Sequence, residues 1–259
     1  MNRFFTYLIF IYVSVFPIGI YGNPNNTPPI CTICLQPLVG EYNIDAWSNP
    51  FHSYHEKEGI FCHSCSRIIS QGITQGGFRY TDGRHLCSLC QISVVENDSL
   101  IHASYTAVIM QLRAVGIHNI PVDIPIELIN LIELNKKFGH SHGNLKGFTH
   151  TDHNLPSQPY YKIFMLFGLP QIEFEAVLAH ELLHVWLQQN KIMLSLALKE
   201  GFCNLGSYLI YKNNNTHFSS IHIEAMATSK DIVYGKGYKE MKTQLDKLGW
   251  NKLIRNLPH

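Results

Sequence analysis

His180 and His184 stand four residues apart with Glu181 beside the first, in the run His180-Glu181-Leu182-Leu183-His184. On a helix that spacing stacks the two imidazoles on one face, one turn apart, where both can bind one tetrahedral zinc. Glu181 then faces the open side of the metal, where a carboxylate can take a proton from zinc-bound water and pass it to a leaving amine. The flanks Ala176 to Leu178 and Leu182 to Leu187 are apolar apart from His184. Polar groups in so apolar a helix need a metal or partners to be buried without large cost. Two histidines on a helix also occur as surface or capping residues, so a third ligand decides the reading.

Glu200, sixteen residues after His184 on a second amphipathic stretch, is the best third ligand, and Lys191 to Leu196 leave room for the chain to turn back. His-His-Glu with an open fourth position is a catalytic zinc set. His217, His222 and Glu224 are competing ligands in a more polar context. Asn204, one turn beyond Glu200, reads equally as a hydrogen-bond partner for a metal-bound histidine or as a surface amide. Cys203 reads as a buried thiol.

The elements that must hold these groups follow from periodicity. Ser99 to Ala114, Glu173 to Gln189, Leu198 to Tyr211 and Lys239 to Leu248 have helical patterns. Gly147 to Thr151 and Tyr160 to Phe167 read as strands, the second stopped by Gly168-Leu169-Pro170, and either offers an edge for an extended peptide. Ile126 to Lys137 is ambiguous between a short helix and a strand. The expected class is α+β, with a small sheet and active-site helices over 94–259.

All the cysteines except Cys203 lie in 31–93, a segment too poor in apolar pattern to fold without metals or disulfides. They form the pairs Cys31-x-x-Cys34, Cys62-x-x-Cys65 and Cys87-x-x-Cys90, with His52 and His55 between the first two. This order resembles a LIM-type double zinc finger. One structural zinc would take Cys31, Cys34, His52 and His55, and a second Cys62, Cys65, Cys87 and Cys90. His55 stands where LIM domains usually carry cysteine, and the gap from His55 to Cys62 is longer than usual, which leaves His52, His55 and His63 open as ligands. Three short-loop disulfides are the alternative, but adjacent Cys-x-x-Cys pairs strain as disulfides and chelate well.

Asn2-Arg3 followed by the apolar run Phe4 to Phe16 reads as a signal peptide over 1–22, with 23–30 as linker and an uncleaved anchor as the alternative. The chain of 259 residues has a formal net charge of +1 and no Lys/Arg cluster in the finger module, which argues against a nucleic-acid partner. After signal removal no membrane association is expected.

Phe167-Gly168-Leu169-Pro170, Leu178 to Leu187, Glu200-Gly201-Phe202-Cys203 and Ile232 to Tyr238 together resemble the peptidase domain of the DA-one-like proteins, LIM-domain zinc metallopeptidases best known from plants. Gly139 to Phe148 resembles that domain's glycine-rich edge. The resemblance covers roughly residues 95 to 255, and implies a zincin-like fold, Glu200 as third zinc ligand and Glu181 as general base. The chain reads as an exported, bacterial-type member, without the ubiquitin-interacting motifs of the plant proteins. Tyr234 and Tyr238 occupy the family-like segment and are candidates to stabilise the oxyanion, or equally packing aromatics. The expected partners are a peptide or protein substrate and a protein held by the LIM-like module. A non-catalytic protein-binding scaffold with a degenerate peptidase domain is the alternative.

Overall fold

The computed structural model describes residues 16–18, 28–139, 145–152 and 160–258. The signal-peptide segment lies outside the described residues apart from Phe16–Ile18. The chain divides between Val94 and Val95 into two compact units. Among the described residues no helix is long and apolar enough to cross a membrane.

The N-terminal unit is held by short elements. Strands β1 (Phe16–Ile18), β2 (Tyr42–Ile44) and β3 (Pro50–His52) form an antiparallel sheet in that order. Helices α1 (His55–Glu58) and α2 (Gln71–Thr74) follow, then the hairpin of β4 (Gly77–Arg79) and β5 (His85–Cys87) and the helix α3 (Ser88–Gln91). Two knuckles repeat one local design. Leu35 N donates to Cys31 O and Cys31 N to Gln36 O, each at 2.9 Å. In the second, Ser66 N donates to Cys62 O at 2.9 Å and Cys62 N to Arg67 O at 2.8 Å. Leu35 and Ser66 hold matching left-handed conformations, with φ of 61° and 58°. One small apolar cluster here is Cys31, Leu38, Phe51 and Ile68 with a few partly buried neighbours, and Leu86 and the cysteines of the second knuckle are buried as well. Buried Asp45 stitches the unit, accepting from Trp47 N, Asn49 N, Asn49 Nδ2 and Ile68 N.

The C-terminal unit contains a larger core. It runs α4 (Asp98–Ala114), β6 (Ile126–Ile129), α5 (Leu131–Phe138), β7 (Gly147–Asp152), β8 (Tyr160–Leu166), α6 (Gln171–Gln189), α7 (Leu196–Asn214), α8 (His217–Thr228) and α9 (Tyr234–Arg255). This is a mixed α+β arrangement, and the ambiguous Ile126 to Lys137 segment resolves as strand then helix. The sheet order is β6-β8-β7, with β8 parallel to β6 and antiparallel to β7. Because β8 is paired on both sides, β7 is the one of the two strands considered for a peptide that lies at a sheet edge among the described residues.

Side chains alternate across β7. Thr149 and Thr151 reach Glu181 and Gln188 of α6, while Phe148 stacks on Phe164 and meets Phe138 of α5 edge-on. The helices start where the sequence supplies caps: Asn97, Asn130, Ser195 and Thr216 each accept from a backbone N–H of the following first turn. Helix α6 is buried without interruption from Glu173 to Leu187, so it is the central element of the core.

Candidate metal centre

Helix α6 supplies His180 and His184, and α7 supplies Glu200. The turn between them is tight: Lys191 is left-handed at φ 54°, and Ile192 N donates to Leu187 O. The helices then pack closely. A Cβ at Gly206 would sit 3.0 Å from Ala179 O, and Ser207 Oγ donates to Ala176 O at 2.8 Å. That approach carries Glu200 to the histidine face.

His180 Nε2 and His184 Nε2 are 3.0 Å apart, and Glu200 Oε2 lies 3.4 Å from the first and 3.5 Å from the second. His180 and Glu200 are fully buried and His184 is nearly so. Ligand atoms each about 2.0–2.1 Å from a tetrahedral zinc lie about 3.3 Å apart, so the three atoms match the edges of such a site. Glu200 has neither carboxylate oxygen in a hydrogen bond, although the residue is inside the core. A buried carboxylate in this state calls for a cation. The donor set therefore fits a divalent metal, with zinc suited to nitrogen and oxygen ligands. His217, His222 and Glu224 lie on α8, and none joins the cluster. His222 instead stacks on Tyr211 and packs against Phe218.

The electrostatics follow from burial. Burial lowers the His184 imidazole to about 4, keeping the neutral form that ligates. Burial also pushes the Glu200 carboxyl up, but the adjacent His184 and His180 more than offset it and hold it at about 2. Glu181 is raised to about 7, chiefly by burial, against the pull of His180 and Thr149.

Two neighbours complete the first picture. Thr149 Oγ1 donates to Glu181 Oε2 at 2.6 Å. Cys203 Sγ lies 3.3 Å from His184 Nδ1, so the histidine's second nitrogen meets the thiol and not Asn204. Asn204 is buried, and its Oδ1 has no hydrogen-bond partner. Burial pushes the Cys203 thiol well above its ordinary range. Neither Thr149 nor the Cys203 contact is legible from spacing, since both partners come from distant elements. Tyr234 and Tyr238 begin α9. Tyr238 is buried with its ring centroid 6.5 Å from Tyr208 of α7, and its backbone N packs against Gly201, the residue after Glu200.

The N-terminal unit brings together two further clusters, Cys31, Cys34, His52 and His55, and Cys62, Cys65, Cys87 and Cys90. All the cysteines are free thiols. Cys65 Sγ and Cys87 Sγ are 3.7 Å apart, and Cys34 Sγ is 3.5 Å from His52 Nδ1. Sulfurs about 2.3 Å from a tetrahedral zinc are about 3.8 Å apart, and a sulfur–nitrogen edge is about 3.5 Å. His52 Nε2 faces Pro37 O at 3.2 Å, the outward hydrogen bond that orients a ligating imidazole. Backbone N–H groups of Ile33 and Cys87 point at Cys31 Sγ and Cys62 Sγ, each at 3.4 Å. Thiol pairs in the second cluster share protons, pushing Cys62 down to about 7 and Cys90 up. Both clusters can hold a metal ion and fit zinc.

Residues 127–224, which contain the histidine pair, Glu181 and Glu200, match the family model DA1-like, described as Protein DA1. The chain is also 23% identical over 239 residues to Protein DA1-related 1 of Arabidopsis thaliana, covering 78% of this chain and 42% of the relative. It thus spans less than half the length of that curated relative. No solved structure matches. The two comparisons together support a likeness to the DA1-like family, and that likeness includes the helix pair that carries the buried metal-ligating cluster.

Proposed function

We propose that the chain is a zinc-dependent metallopeptidase with a zincin-like catalytic unit and a LIM-like zinc-stabilised module. The observation that carries this reading is the convergence of His180 Nε2, His184 Nε2 and Glu200 Oε2 on one buried point next to a fourth ionisable group, Glu181. His180, His184 and Glu200 would hold the metal, and a bound zinc supplies a Lewis acid that polarises the scissile carbonyl and acidifies the attacking water. Glu181 takes the proton of that water and delivers it to the leaving amine. Burial raises this carboxyl to about 7 in the metal-free fold, and a bound cation would draw it back toward its ordinary range, leaving the base ionised at neutral pH. Edge strand β7, carrying Thr149 beside Glu181, suits an extended peptide laid along the sheet. Tyr234 or Tyr238, at the start of α9 that packs against Gly201 beside Glu200, would stabilise the oxyanion.

The cysteine clusters would hold two structural zincs, and the module would bind a partner protein. The apolar N-terminal run supports export. The test is metal content with proteolysis. The purified chain should hold three zincs, and chelation should abolish hydrolysis of labelled casein. Glu181→Gln should keep all three zincs and lose the activity. Zinc confined to the cysteine clusters would favour the non-catalytic scaffold instead.

A further inference from the structure

The carboxylate of Glu181 is held asymmetrically. Oε2 accepts from Thr149 Oγ1 at 2.6 Å. The same hydroxyl is 3.3 Å from Glu181 O, but it has one proton, and the shorter contact takes it. Oε1 is buried without a hydrogen-bond partner. It lies over the backbone of Gly147, where an added Cβ would be 3.1 Å from Oε1 and 3.2 Å from Glu181 Cγ. The same Cβ would press to 2.8 Å on Val177 Cγ1, one turn before Glu181. Gly147 and Thr149 are alternate residues of β7, so both face α6 in one register, fixed by pairing of Gly147 with Met165 and Thr149 with Ile163. One residue supplies the space for the carboxylate and the other supplies the donor.

We propose that β7 is the seat of the general base: Thr149 is a positioning residue that holds Oε2 of Glu181, with Gly147 leaving the room, so that Oε1 is the oxygen that takes the proton. This rests on the peptidase reading above. A free glutamate side chain has several rotamers, and ordering one of them before substrate arrives removes an entropic cost from the chemical step. A proton transfer needs its base within hydrogen-bond reach of the water, and small misplacements are expensive. The contact joins residues of different elements, 32 positions apart, so it also couples the catalytic helix to the strand along which substrate would lie.

The experiment uses the full chain with Thr149→Val, Thr149→Ser, Gly147→Ala and Glu181→Ala. In the zinc-loaded protein, with labelled casein as probe, Thr149→Val should lower kcat by up to about 100-fold with KM and zinc content unchanged. Thr149→Ser, which keeps the donor, should restore kcat to within a few-fold of wild type, and Gly147→Ala should lower it. A second measurement does not depend on activity. In the metal-free protein, the shift in Tm caused by Thr149→Val should nearly vanish in the Glu181→Ala background, because the partner is gone. Additive Tm shifts would overturn the contact. Coupled shifts with an unchanged kcat would overturn the positioning role. A wild type that binds three zincs and cleaves nothing would sink the peptidase reading, and the positioning role with it, whatever the Tm cycle gives.

Discussion

Cys203 Sγ meets His184 Nδ1 at 3.3 Å, across the contact between α6 and α7. For His184 Nε2 to present a lone pair to a metal, the proton must sit on Nδ1, and the thiol sulfur then accepts it. Sulfur is a weak acceptor, yet it is the group that meets this nitrogen across the helix contact. Removing it should free the imidazole to rotate. Cys203→Ala should weaken zinc binding at this site by about 10-fold, at the low end for loss of such an outer partner, while Cys203→Ser should recover part of the loss. Competition with a calibrated chelator measures this, and His180→Ala identifies which of the zinc-release steps belongs to the site. Equal affinities for wild type and Cys203→Ala would remove Cys203 from any part in orienting His184.

Lys146 and Glu173 form an ion pair inside the core, with side-chain exposures of 6% and 1%. The pair ties the residue before β7 to the first turn of α6, where the helix dipole also favours a carboxylate. Lys146→Met would strand the Glu173 charge in the core and should destabilise the C-terminal unit by about 3–5 kcal/mol. Replacing both, with Lys146→Met and Glu173→Leu, should recover most of that loss, because no buried charge remains. Urea unfolding of the metal-free variants gives both values. A single variant as stable as wild type would mean that water reaches the pair.

Much of this arrangement is legible in the sequence, and the parts that are not share a cause. The apolar periodicity around His180 places α6, and Glu200 follows from its spacing and helix. Helix α8 is not visible, because His217, Ser219, Ser220 and His222 interrupt any apolar stripe, and its buried face mixes Ser219 and His222 with Ile221, Ala225 and Met226. The start of α9 is also hidden: Gly235 and Gly237 read as breakers, yet both sit against neighbouring backbone, where tertiary packing overrides propensity. Thr149 carries no local signal, since a threonine in a strand is ordinary, and only the pairing register turns it toward Glu181. Which nitrogen of His184 faces a thiol is likewise a matter of helix packing.

Gly237 and Gly201 mark the closest approach of α9 to α7. A Cβ at Gly237 would come within 1.9 Å of Ala197 O, and one at Gly201 within 2.2 Å of Gly237 O. Both obstacles are backbone, so the helices must separate. Gly201 adjoins Glu200, and separation would shift the third ligand away from the histidines. Gly201→Ala should therefore lose zinc from this site together with stability, by about 1–3 kcal/mol or more, as overpacking does. Gly249→Ala is the contrast: its φ of 71° strains any side chain, but no atom lies within 4 Å, so stability should fall with zinc content intact. Thermal unfolding with metal analysis separates the two. Full zinc occupancy in Gly201→Ala would show that Glu200 tolerates the displacement.

The pH dependence of the metal-free protein tests whether Glu181 is as buried as its surroundings imply. Burial raises its folded carboxyl to about 7 from 4.5. Between those values the folded state keeps a proton that the unfolded chain has released, so this group's contribution falls as pH rises. His184 acts in the opposite sense. Burial lowers its imidazole from 6.5 to about 4, so the unfolded chain binds the proton first, and stability rises with pH across that window. The two slopes oppose each other in wild type, and Glu181→Gln removes only the first. The variant should therefore gain on wild type as pH increases from 4.5 to about 7, reaching on the order of 3 kcal/mol above that. Urea titrations of both proteins across this range, with chelator present, give the difference directly. A difference that stays constant with pH would mean that Glu181 ionises in the fold as readily as in the open chain. Zinc should then reduce the effect, because a cation beside Glu181 favours its charged form and pulls the folded carboxyl back toward its ordinary range.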